Sequence, residues 1–224
     1  MVKVLDKGFI EVVDVMGSDL SVVNAARVSF GKRKDTMTPG DGKLIRYLWK
    51  HMHTSPFRHA SIQFHLKAPI FVLRQWMKHQ VGCAWNEISG RYVVFEPDFY
   101  VPANWREQHE SNKQGSKGAI TNQDAATEVY ETALRQQFDT YNDLLAQGVC
   151  KEQARMILPV ATYSECYWTC SLQAIMHFLS LRLDAHSQWE IRQYAAAVYA
   201  LVKERFEISL EQMELPEDIE LPVI

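Results

Sequence analysis

Apolar positions change period several times along this chain, and the changes divide it into elements. Val2, Val4, Phe9, Val12 and Val13 alternate well enough to predict a hairpin over residues 1–14, turning at Asp6-Lys7-Gly8. Asp19 or Ser21 is placed to cap a helix over Val22–Val28. Gly31–Gly42 is charged and holds glycine and proline, so it reads as a loop. Leu44, Tyr47 and Leu48 then mark the inner face of another helix. Ala60–Leu66 alternates through Ile62, Phe64 and Leu66 as a strand does, and Pro69 suits the first turn of the helix that follows. Tyr92–Tyr100 reads as extended, and the polar stretch Asn104–Asn122 as a long loop. Asp124–Gln147 has the period of an amphipathic helix, stopped by Gly148, and Lys151–Ile157 makes a short helix before Pro159. Tyr163–Cys170 reads as a strand, Ser171–Leu181 and Ser187–Phe206 as helices, and Leu215–Ile224, with two prolines, as an irregular tail. The order of elements predicts an α+β fold, a mostly antiparallel sheet packed with long helices, in one domain over 1–224.

Composition narrows the setting. Hydrophobic residues make up 47% of 224, enough for a sizeable core. There is no basic and apolar leader, and no apolar run approaches the roughly 20 residues that span a bilayer. The expectation is a cytoplasmic chain with no membrane partner. Four cysteines (Cys83, Cys150, Cys166, Cys170) form no CxxC pair and read as reduced thiols. Net charge is −3, from 24 basic and 27 acidic residues, which suggests no nucleic-acid surface.

The densest chemistry lies in residues 74–92. Arg74, Gln75, Lys78 and His79 follow an apolar helix within little more than one turn, and three- and four-residue spacings put Gln75, Lys78 and His79 on one helical face. A polar hairpin with Asn86, Glu87, Ser89, Gly90 and Arg91 comes next. So many donors beside an apolar helix are costly unless a partner satisfies them, and an anionic, hydrogen-bonding ligand is the natural candidate. This block resembles the signature of the flavin-dependent thymidylate synthases, the ThyX-type enzymes. Their motif reads Arg-His-Arg, seven or eight residues, then Ser; here it reads Lys78-His79-Gln80, eight residues, then Ser89. The run Asn86-Glu87-Ile88-Ser89-Gly90-Arg91-Tyr92 matches the family's Asn-Glu-x-Ser-x-Arg-Tyr closely.

The resemblance extends from Asp6-Lys7-Gly8-Phe9 to Gln188-Trp189-Glu190-Ile191. It implies reductive methylation of dUMP to dTMP, with FAD as cofactor, NADPH as reductant and methylenetetrahydrofolate as carbon donor. It also implies a homotetramer with sites between subunits. It assigns Gln75, Lys78, Glu87, Ser89, Gly90, Arg91, Arg155 and Arg182 to the nucleotide. Arg155 falls in Gln153-Ala-Arg-Met-Ile-Leu-Pro159, and Arg182 in the Leu-Arg-x-x-x-His pattern ending at His186. To the flavin it assigns Ser29, Ser55, Lys78, His79, Gln80, Glu87, Ser171, Leu172, Gln173 and His177. The pattern His53-x-Ser55-Pro-Phe-x-His59 falls on the flavin and folate side. Catalytic weight rests on Arg182, which polarises or deprotonates uracil N3, with Ser89 orienting substrate and His53 beside the flavin. Lys78 keeps the charge of the family arginine without its planar fork, and Gln80 loses the charge.

Other readings stand beside these. Ala25–Ser29 alone reads as a helix end, and each arginine alone as a surface ion-pair partner. His51, His53 and His59 form a possible metal set for a hydrolase, although no acidic or cysteine ligand sits at metal-ligand spacing. A homologue that binds nucleotide and flavin with weakened activity is a further alternative. Asn112–Ser116 has the look of a phosphate-contacting loop but is neither a Walker A nor a Gly-x-Gly-x-x-Gly sequence. Cys83 lies in the signature loop with no evident activating group and reads as a pocket-wall thiol.

Overall fold

The alternation at the start does form a hairpin. In the computed structural model, which describes residues 1–224, β1 (Val2–Val4) turns through Leu5–Lys7 into β2 (Gly8–Met16). β2 pairs with β3 (Ser61–Pro69), β3 with β7 (Tyr163–Ser171), and β7 with β4 (Cys83–Glu87), all antiparallel. The resulting order is β1-β2-β3-β7-β4. A separate two-stranded ribbon joins β5 (Arg106–Gln108) to β6 (Ser116–Ala119).

Period-two patterning sets the two faces of the sheet. Ile62, Phe64, Leu66 and Ala68 of β3, with Cys166, Trp168 and Cys170 of β7, are buried on one face. Against them lie α3 (Ile70–Trp76), α6 (Leu172–Arg182) and α7 (Trp189–Lys203). The run Ala195–Ala200 in α7 is buried all round, as expected of a helix apolar on every side. Trp76, Trp168 and Phe178 stack together at the centre, at ring distances of 4.8–5.4 Å. Burial of side chains this large stabilises by about 2–3 kcal/mol each. The opposite face is polar: His65 sits between Glu11 and Glu165 and stacks on Tyr167.

Several expectations change. α1 (Asp19–Arg27) is capped by Ser18, not Asp19 or Ser21, because Ser18 and Ser21 form a reciprocal capping box. α2 (Pro39–Lys50) begins inside the expected loop, because Thr38 and Asp41 form a second box with Pro39 at the first position. Tyr47 of α2 is exposed rather than inward; Ile45 and Leu48 take the inner face. The polar hairpin expected over Asn86–Arg91 is not formed; Asn86 and Glu87 end the edge strand β4, which pairs with β7 about eighty residues away. Tyr92–Tyr100 is irregular apart from a bridge from Phe99 to Thr162. The 104–122 stretch contains the β5–β6 ribbon. The long amphipathic helix is α4 (Gln123–Ala146), followed by α5 (Lys151–Ala154) and a 3-10 turn over Arg155–Ile157. α8 (Glu207–Leu210) precedes the irregular tail.

Candidate active site

Two groups of sequence-marked residues come together, one in a cleft beside Arg74 of α3 and one along α6. The first lies in a cleft of about 610 Å³. β4 ends at Glu87, where the Ile88 amide still donates to Glu165 O at 2.9 Å. The chain then turns tightly: the Tyr92 amide donates to Ser89 O at 2.9 Å and the Arg91 amide to Ser89 Oγ at 3.3 Å. Gly90 is required here, since a Cβ would lie 2.4 Å from the Phe95 ring and 3.1 Å from Arg155 Cδ. Glu87, Ser89, Gly90 and Arg155 therefore line one cavity, with Arg74 from α3 and Glu152 from α5. Ser164 Oγ donates to Glu87 at 2.6 Å and fixes the carboxylate. Arg91 pairs with Glu152 at 2.9 Å, but both are more than half exposed, so the pair is weak and an incoming anion can displace it. Arg74 and Arg155 have no carboxylate partner. The cleft thus offers unpaired guanidinium forks, a positioned carboxylate and a hydroxyl, a donor and acceptor set suited to a polar anion.

The second group lines α6. α3 ends at Trp76, so Gln75, Lys78 and His79 do not share a helical face as their spacing suggested: Lys78 is exposed and His79 buried. Arg182 Nε donates to His79 Nε2 at 3.0 Å, which puts the His79 proton on Nδ1. Burial, then the nearby Arg182 and His177, hold the His79 pKa at about 4. Arg182 thus keeps its charge beside a neutral acceptor, and its Nη2 reaches Gln75 O at 3.5 Å. The Gln75 side chain donates to Gln188. His177 is exposed, its ring 5.7 Å from that of His79, and Gln173 lies one turn earlier, accepting from Arg58. Ser171 caps α6 by accepting from the Ala174 amide, and Leu172 is buried beneath. Gln80 is exposed.

The remaining residues stand apart. Ser29 is exposed in a 3-10 turn, Ser55 opens another over Ser55–His59, and the His53 ring stacks on Tyr47 at 6.2 Å. His51 packs on the same tyrosine at 4.3 Å, and no three His, Cys, Asp or Glu side chains converge in a way that holds a metal. The Asn112–Ser116 loop spends its polar groups on itself. Gln108 donates to carbonyls of Asn112, Lys113 and Gly115, and His109 Nδ1 accepts from the Asn112 amide.

Cys83 departs from the expectation for it. It lines neither group but faces Cys170 across the β4–β7 ladder. The Cys170 thiol beside it lowers its pKa to about 7, against the effect of burial. Arg74, marked in sequence as one of the clustered donors but given no role, lines the cleft, and Glu152, three residues from Arg155, was not marked at all.

Comparison with known proteins bears on both groups. A family model described as "Thymidylate synthase complementing protein" matches residues 11–207. The flavin-dependent thymidylate synthase of Thermus thermophilus is 46% identical over 213 residues, 95% of this chain and 78% of that one. Its namesake from Kosmotoga olearia is 44% identical over 213 residues, 94% of this chain and 91% of the relative. Among solved structures, the UMP/dUMP methylase PolB from Streptomyces cacaoi bound with 5-Br dUMP superposes with a TM-score of 0.85 at 34% identity, covering 94% of this chain and 96% of that one. The same enzyme bound with 5-Br UMP gives 0.82 at 35% identity, covering 94% and 95%.

Proposed function

The chain belongs to the flavin-dependent thymidylate synthase family, and on that footing we propose the parts its residues play in the reductive methylation of dUMP to dTMP. Methylenetetrahydrofolate donates the carbon, FAD is the cofactor and NADPH the reductant, in the cytoplasm, with residues 1–224 as one catalytic unit. The observation that carries the residue assignment is the gathering of Glu87, Ser89, Gly90 and Arg155 in one cleft, from segments at least 65 residues apart. Arg155 and Arg91 bind the nucleotide phosphate as bidentate forks, Arg91 exchanging Glu152 for it. Ser89 and Glu87 orient the nucleoside.

Arg182 directs a charge-assisted hydrogen bond at the pyrimidine, where charge develops as the ring is activated. Its orientation is fixed by the bond to His79, which stays neutral and takes none of the arginine's charge. The flavin fits the α6 side: Lys78, Gln80 and His177 are exposed there without ion-pair partners, and His53 and Ser55 lie beyond Arg58–Gln173. Bound flavin supplies the hydride that completes the methyl group. In a single chain the cleft is lined by no residue of α6, and α4 buries only Leu134 and Tyr141 along 24 residues. Both features support a homotetramer in which one subunit's cleft meets another's α6 strip.

The decisive experiment is turnover. The purified protein is expected to show a flavin absorption spectrum that dUMP perturbs, and to form dTMP when methylenetetrahydrofolate and NADPH are added. A flavin-loaded protein that binds dUMP and makes no dTMP would establish the weakened, binding-only homologue instead.

A further inference from the structure

Cys83 and Cys170 are direct neighbours across two antiparallel strands. The Ser171 amide donates to Gly82 O at 2.9 Å, so Gly82 and Ser171 form the hydrogen-bonded pair and Cys83 and Cys170 the non-hydrogen-bonded one. At such a pair Cα atoms stand about 4.5 Å apart and side chains approach most closely, inside the roughly 4.4–6.8 Å window that a disulfide spans. Both side chains lie on the helix-covered face. Cys170 is buried and Cys83 is partly open, so one thiol is reachable and the other is held behind it. The remaining cysteines have no such neighbour: Cys166 faces Glu87 in register, and Cys150 is exposed at the start of α5.

We propose that Cys83 and Cys170 are a site of reversible oxidative modification, at which a peroxide converts the cross-strand dithiol to a disulfide fastening the start of β4 to β7. The Cys83 thiolate attacks the peroxide: an S–O bond forms, the O–O bond breaks, and hydroxide leaves. Cys170 then attacks the sulfur of the sulfenic acid: the S–S bond forms, the S–O bond breaks, and the oxygen departs with the Cys170 proton as water. The dithiol loses two electrons and the peroxide gains them, and a thiol reductant reverses the step by exchange. Two neighbours favour the first step. The neighbouring Cys170 thiol and the indole N–H of Trp168, buried without a partner, stabilise the Cys83 thiolate and bring its pKa to about 7. The tether holds the segment between His79 and Glu87, which joins the α6 strip to the cleft.

The test is peroxide treatment of the intact protein, followed by thiol titration after denaturation and peptide mass spectrometry. The expected result is loss of two of the four thiols, a peptide cross-link from Cys83 to Cys170, and recovery of both thiols with dithiothreitol. Cys166→Ser and Cys150→Ser should behave as wild type, and Cys83→Ser should lose the cross-link. In Cys170→Ser, the unresolved sulfenic acid should go on to sulfinic acid. Should Cys170→Ser fail to fold, the wild type and Cys83→Ser decide the matter alone. Over-oxidation of Cys83 in the wild type without a cross-link, or a disulfide between two chains, overturns the proposal. None of these readouts depends on methylation activity.

Discussion

His79 is a base that its surroundings keep neutral, and acid should reveal it. Its pKa is about 4 in the folded chain and 6.5 in the unfolded one, so between those values the unfolded state binds a proton that the native state refuses. The stability held above pH 6.5 is therefore lost as pH falls toward 4, by up to about 3 kcal/mol. Urea unfolding at pH 7 and at pH 4.5 should show this slope, and His79→Gln should flatten it. Arg182→Ala should abolish dTMP formation while flavin stays bound, because a charge-assisted contact to the activated ring contributes about 2–4 kcal/mol. Near-normal turnover in that variant would remove Arg182 from its role. Cys83→Ala should stay active despite the lowered pKa, since the thiol faces Cys170 and not the cleft. Lys78 and Gln80 are both exposed, so arginine fits at either place without overpacking. Lys78→Arg and Gln80→Arg should each tighten FAD about tenfold in a titration of apo-protein, by restoring a charge-assisted fork. Unchanged binding in both would place the flavin phosphates elsewhere.

Among the elements, β4 depends most on one residue. Gly82 sits at φ +75, and a Cβ there would come within 2.8 Å of Ser171 Oγ, the cap of α6. This glycine lets the chain leave α3, turn, and lie down on β7 in the register that aligns Cys83 with Cys170 and carries Glu87 to the cleft. Gly82→Ala pays a left-handed penalty and disturbs the cap, about 2 kcal/mol together. Thermal unfolding should register it as a lowered midpoint. Gly148, at φ +85 with open space around it, should tolerate alanine better, at the cost of the backbone term alone.

The molecule as a whole poses a question of assembly. The cleft holds Arg155 and the α6 strip holds Arg182, and Arg182 is not among the residues that line the cleft. If each site is built from the cleft of one subunit and the strip of another, Arg155→Ala and Arg182→Ala proteins are each inactive alone. Unfolded together and reassembled, they should recover part of the activity, because some sites then combine two intact halves. No recovery, with mixed oligomers demonstrated by mass, would mean that both arginines serve one site within a chain.

The strand alternation of β2 and β3, the amphipathic period of α4 and the proline and glycine punctuation were legible because local sterics and one-sided burial write them directly into the order of residues. The motif at 86–92 and the arginines at 155 and 182 were marked by resemblance, and the cleft gathers Arg155 with Glu87, Ser89 and Gly90. What tertiary structure alone decided was pairing and direction. The 74–92 block read as a helix end and a local hairpin, yet β4 takes its partner from β7, because edge hydrogen bonds and the buried face of Trp85 and Trp168 outweigh local contacts. Periodicity put Gln75, Lys78 and His79 together, and the early end of α3 sent His79 inward to Arg182. Cys83 had no activating neighbour in sequence and gained one across the sheet. The β5–β6 ribbon was hidden because Gln108, through a single amide, satisfies carbonyls that a polar loop would leave to water. Contacts between distant segments depend on register and burial, and no window of sequence contains both partners.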